Sequence, residues 1–88
     1  MTQVDVSPDA TCAMLEGGAV VLHMGTRRYF SLNETGAAIW GLLESATPLP
    51  DIATRLTEQF LVDLETASAS IEALVAELES AALVTVTR

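Results

Sequence analysis

The residues able to do chemistry in this chain are few. Cys12 and His23 are its single thiol and single imidazole. A cysteine beside a histidine can become an activated nucleophile. Both residues fall in segments that read as strands, but no spacing marks a triad, and each reads as a structural side chain. One thiol and one imidazole are too few for a zinc site, and one thiol forms no internal disulfide. The twelve acidic residues include no Asp-x-Asp-x-Asp-Gly calcium loop. Glu16-Gly17-Gly18 lacks the lysine and the following helix of a phosphate loop. These residues make no catalytic, metal or cofactor site, so the expectation is a protein that is not an enzyme and needs no cofactor.

Arg27-Arg28 is the more informative pair. Adjacent residues of a strand point to opposite faces, so two cations at its start either protect an edge strand or anchor a carboxylate of a bound peptide. They are half of the chain's four basic residues, all arginine, against twelve acidic ones, a formal charge of −8. That balance speaks against nucleic acid, whose binding is driven by cations on phosphates, and against an anionic membrane surface. Half of the residues are hydrophobic and mean hydropathy is +0.40, enough to close a core. The 88 residues fit a single domain, 1–88. No stretch reads as a membrane span or as a signal peptide, so the expected location is the cytoplasm, with Cys12 reduced.

The elements that must position these residues follow from periodicity. Val4 and Val6 alternate with polar residues before Ser7-Pro8-Asp9, a turn signal. Thr11–Leu15 reads as a second strand and Ala19–Met24 as a third, separated by Glu16-Gly17-Gly18. Gly25-Thr26 then reads as a tight turn, with Gly25 free to take positive φ, leading into Arg27–Leu32. Asn33 is a good N-cap. Gly36, Ile39, Trp40 and Leu43 recur on one helical face, giving a first helix over 34–44 with Trp40 in the core. Thr47 is expected to cap a second helix with Pro48 at its first position; Ile52, Leu56 and Phe60 form its stripe. Asp63 is expected to cap a third, with Ala67, Ile71, Leu74, Val75, Leu78 and Ala82 on one side and Glu65, Glu72, Glu77 and Glu79 off it. Leu83–Thr87 alternates again. Strands followed by helices make an α+β fold, and three short helices beside a small hairpin also describe a winged helix-turn-helix.

The stretch Arg28-Tyr29-Phe30-Ser31-Leu32-Asn33-Glu34-Thr35-Gly36-Ala37-Ala38-Ile39-Trp40 resembles the PqqD-like family, whose pattern is near Tyr-Phe-x-Leu-Asn-x-x-Gly-x-x-Ile/Val-Trp. The helices over Thr47–Phe60 and Asp63–Ala82 are similar to those that follow in the family. Ala81-Ala82-Leu83-Val84 is similar to its Gly-Leu-Val ending, with Ala82 for glycine. The resemblance covers residues 4 to 86.

This resemblance implies a winged helix-turn-helix-like fold, a small three-stranded antiparallel sheet with three helices. It also implies a precursor-peptide recognition element that holds the leader of a ribosomally made peptide for a separate enzyme. In the family the leader adds as an extra strand along the third strand, against the third helix. Here that implies an edge of Arg27, Arg28, Tyr29, Phe30 and Ser31 and a helix wall of Ala67, Ser70, Ile71 and Leu74. Many relatives have an Asp where this chain has Ser70, so a charged contact there is not carried over. The Tyr-Phe-Ser-Leu-Asn spelling leans towards the stand-alone subunit of lasso-peptide systems, which works with a separate leader peptidase. The alternative is the pyrroloquinoline-quinone type of chaperone, which works with a radical enzyme. A DNA-binding winged helix is the third reading, and the charge opposes it.

Overall fold

A computed structural model describes residues 3–87. The chain runs β1 (Gln3–Val6), β2 (Ala10–Leu15), β3 (Gly18–His23), β4 (Tyr29–Asn33), α1 (Glu34–Glu44), α2 (Leu49–Phe60), α3 (Leu64–Ser80) and β5 (Val84–Thr87). The strands form a three-stranded antiparallel sheet, β2-β3-β4, and a separate two-stranded sheet, β1-β5. The second sheet ties the two ends of the chain together, with Val4 opposite Val86 and Val6 opposite Val84. Three helices follow the larger sheet, so the α+β, winged-helix-like architecture stands.

Alternation divides the faces of the larger sheet. Ala19, Val21 and His23 of β3 are buried, and Leu32 and Phe30 of β4 lie opposite Ala19 and Val21 on the same side. This side meets α1, whose Ile39, Trp40 and Leu43 are almost fully buried beside Ile52 and Leu56 of α2 and Ile71, Val75 and Leu78 of α3. Trp40 is 1% exposed, as its helical spacing predicts.

Local chemistry sets the boundaries. Asn33 Oδ1 accepts the Gly36 amide at 2.8 Å and starts α1. Asp63 Oδ1 accepts the Thr66 amide at 2.7 Å and starts α3. The second helix departs from expectation: it begins at Leu49 with Pro48 as a cap that offers no side-chain bond. Thr47 is not its cap: the Thr47 amide closes α1 by bonding to Leu42 O at 3.0 Å, and the first-turn amides of Asp51 and Ile52 bond to Pro48 O, which puts the cap at Pro48. With Ala46 at φ 58 and the Ala46 amide on Leu43 O, this is a left-handed helix terminus of the Schellman kind. The end of α3 repeats it, with Ala82 at φ 60 and the Leu83 amide on Leu78 O.

The β3–β4 connection also departs from expectation. Gly25 does not take positive φ; Arg27 does, at 61°. Arg27 N–H bonds to His23 O at 2.7 Å and His23 N–H to Arg28 O at 2.8 Å. Two residues thus face one across the ladder, a bulge whose left-handed first position is ordinarily glycine. His23 organises the turn: its Nδ1 accepts the amides of Gly25 at 3.0 Å and Thr26 at 3.1 Å. Gly25 is small for this reason, since a Cβ there would lie 2.9 Å from the imidazole Cε1. Arg27 and Arg28 therefore lie in the connection, and β4 begins at Tyr29.

Candidate functional site

The unpaired edge of β4 is the first component of the site. Antiparallel pairs alternate between hydrogen-bonded and non-bonded. Starting from the His23 N–H to Arg28 O bond, the bonded pairs along the register are Val21–Phe30 and Ala19–Leu32. Phe30 and Leu32 thus spend their main-chain groups on β3, and those of Tyr29 and Ser31 face the open edge. The Tyr29 side chain is 73% exposed, while Phe30 is half-buried on the core side.

The second component is a cleft of 310 Å³ where the end of β4 and the start of α1 face α3. Asn33, Thr35, Gly36 and Ile39 line one side; Ser70, Ala73, Leu74 and Glu77 line the other. The last four are spaced i, i+3, i+4 and i+7, one face of α3. Ile39 is 1% exposed and belongs to the core.

The nine expected contact residues divide accordingly. Tyr29, Phe30 and Ser31 form the edge. Ser70 and Leu74 line the cleft. Arg27 and Arg28 are exposed at the opposite end of β4 from the cleft, about 17 Å from Asn33 at roughly 3.4 Å per residue. Ala67 and Ile71 are 1% and 3% exposed and sit in the core, where Ile71 borders a different groove, between α2 and α3. Asn33, Thr35, Gly36, Ile39, Ala73 and Glu77 also line the cleft, though none is among the contacts expected from the sequence. The i+7 step from Ser70 to Glu77 was the available signal.

Neither Cys12 nor His23 is set up for catalysis. The two lie on one face of the sheet, since Cys12 pairs with Val21 and His23 with Ala10. Burial pushes the Cys12 thiol pKa up, and the Glu44 carboxylate adds to the rise, which disfavours the nucleophilic thiolate. His23 Nδ1 is already accepting two amides, so that nitrogen is committed to the turn and is not free to take a proton from Cys12. Among the described residues no group of three or more His, Cys, Asp or Glu could hold a metal ion. No described helix is long and apolar enough to cross a membrane.

A winged-helix-like α+β domain in which the open edge of β4 lies beside a helix-walled cleft is the class these features define. The family model for coenzyme PQQ synthesis protein D (PqqD) matches residues 18–84, and the chain belongs to that family. Two solved structures share the fold. One is TbiB1 in complex with the TbiA(beta) leader peptide, at a TM-score of 0.85 and 26% identity over 91% of this chain and 93% of that one. The other is lasso peptide synthetase B1 complexed with the leader peptide, at 0.84 and 28% over 94% and 98%. Among curated protein sequences none matches this chain.

Proposed function

We propose that this protein binds the leader segment of a ribosomally made precursor peptide by strand addition to β4 and delivers it to a separate leader peptidase or modifying enzyme. The observation that carries the reading is the open β4 edge beside the α3 cleft. An extended peptide gains main-chain hydrogen bonds on such an edge and takes its specificity from pockets for alternate side chains. Both similar structures are complexes with leader peptides, which supports the lasso-peptide form of the reading. The protein acts as a non-catalytic binding subunit working in the cytoplasm. The contact set is Arg27, Arg28, Tyr29, Phe30, Ser31, Ser70 and Leu74, with Ala67 and Ile71 supporting α3 from the core.

The family description favours a second reading, a peptide chaperone for pyrroloquinoline-quinone synthesis beside a radical enzyme. The two readings share the peptide-binding step and differ in partner, so the neighbouring genes separate them: a short precursor with a protease and a cyclase, or a radical enzyme. The charge of −8 argues against DNA, and a gel-shift assay at low salt is expected to show none bound.

The binding test uses the leader of the short precursor encoded beside the gene, titrated calorimetrically. Ser31→Pro removes an N–H that faces the open edge and leaves the pairing to β3 intact. It is expected to weaken binding at least tenfold with the circular-dichroism spectrum retained. Leu74→Ala, which removes apolar surface from the cleft without adding charge, is expected to weaken binding as well. Full affinity in a folded Ser31→Pro protein would overturn strand addition. Ile71→Glu is unsuitable, because a charge at a site 3% exposed tests folding.

A further inference from the structure

The α3 cleft has a chemical character that the strand edge lacks. Its lining is mixed: Gly36, Ile39, Ala73 and Leu74 are small or aliphatic, Asn33, Thr35 and Ser70 are polar and uncharged, and among the described residues its one charged group is Glu77. No cation lines it. Arg27 and Arg28 stand beyond the far end of β4, and Arg55 borders a groove on the α1–α2 side. From Ser70 to Glu77 the wall runs about 10 Å at 1.5 Å per residue, long enough for an extended side chain to lie along it. Ser70 and Thr35 add hydroxyl oxygens that accept hydrogen bonds.

We infer that the cleft selects a leader residue with an aliphatic stem and a cationic tip, lysine or arginine, with Glu77 as its counter-charge. The inference rests on the leader-binding reading and names the side chain that reading leaves open. The stem packs on Leu74 and Ala73, and the head reaches the carboxylate at the solvent end, the usual division of labour for long basic side chains. The opposite signs at the two ends of β4 also set a register. A cation at Glu77 and a carboxylate at Arg27-Arg28 are about five residues apart on an extended peptide. A leader antiparallel to β4 carries the cation on the N-terminal side of the acid.

The test pans a yeast-displayed library of random fifteen-residue peptides against the wild-type protein, Glu77→Gln and Ser31→Pro. The wild type is expected to enrich Lys or Arg at one position, about five residues from an Asp or Glu. Glu77→Gln is expected to lose that cation preference, with about fivefold weaker binding of the selected peptides, as for a partly exposed ion pair. It should keep the apolar preferences at neighbouring positions. Glu77 is on the exposed side of α3, so its replacement leaves the fold intact. Enriched peptides without a cation, or with a cation preference that survives in Glu77→Gln, overturn the assignment while strand addition stands. Peptides that bind Ser31→Pro as well as wild type, or no enrichment at all, overturn the leader reading and the cleft assignment with it.

Discussion

Asn33 is the last residue of β4 and the cap of α1, its Oδ1 2.8 Å from the Gly36 amide. One side chain therefore joins the open edge strand to the helix that forms one side of the cleft, and both residues line that cleft. Gly36 is closely packed here: a Cβ would lie 3.3 Å from both Asn33 Oδ1 and the Leu32 side chain, which would have to give way slightly to admit it. Asn33→Ala is expected to cost about 1 kcal/mol in denaturant unfolding, and Asn33→Asp, which keeps the acceptor, much less. Equal losses would show that the cap bond does not hold the junction.

Left-handed backbone costs a residue with a Cβ roughly 1–2 kcal/mol, and glycine escapes it. Arg27 and Ala82, at φ 61 and 60, therefore offer two stabilising substitutions. Ala82→Gly is expected to raise stability by about 0.5–1 kcal/mol after the entropy that glycine adds to the unfolded chain. Arg27→Gly should do likewise while weakening any peptide whose acid pairs with that arginine. Urea titration checks the first, and urea titration with peptide binding the second. A loss of stability in Ala82→Gly would contradict the terminus geometry of α3.

Gly18 lies opposite Asn33 in the β3–β4 ladder, and a Cβ there would collide with the Leu32 carbonyl. Gly18→Ala has to separate the strands at the cleft end of the edge. The expected cost is on the order of 1–3 kcal/mol, with hydrogen-exchange protection lost at Ala19 and Leu32. Unchanged protection there would rule out the close approach. Gly17 sits in the turn itself at φ 82 with open space around it, so Gly17→Ala is costly through backbone conformation alone.

Asp63 has a pKa below its ordinary 3.8, first because its side chain accepts a hydrogen bond from Thr66. A lowered pKa means that the folded chain holds this proton less tightly than the unfolded chain. The cap's contribution is complete above that ordinary range and is lost as pH falls through the folded value. The Thr66 amide NMR shift is expected to titrate with a midpoint under 3.8 and to stop titrating there in Asp63→Asn, whose amide oxygen still caps. A midpoint at or above 3.8 in the wild type would contradict the cap.

Much of this protein is local and was legible in one dimension. The periodicity of Gly36, Ile39, Trp40 and Leu43 placed the first helix at the residues observed, 34–44. Asn33 and Asp63 were readable as caps because the bond each makes spans only three residues. Where two local solutions competed, the sequence did not choose. Thr47 is a plausible cap, but the first-turn amides of Asp51 and Ile52 bond to Pro48 O, which puts the cap one residue later. Gly25 is a plausible positive-φ residue, but in the turn where the His23 imidazole Nδ1 accepts the Gly25 and Thr26 amides it is Arg27 that takes the left-handed conformation.

The sequence by itself determined the alternation of the strands, the apolar stripes, the helix caps and the acidic balance, since each depends on neighbours a few residues apart. Only the tertiary structure decided that β1 and β5 pair with each other, Gln3 opposite Thr87 and Val6 opposite Val84. Only it turned Ala67 and Ile71 inward and set Ser70, Leu74 and Glu77 towards the β4–α1 junction. The physical reason is that a helix with apolar residues on more than one face has no preferred neighbour until the sheet and α2 are in place. Their packing buries one face and leaves the other lining a cleft.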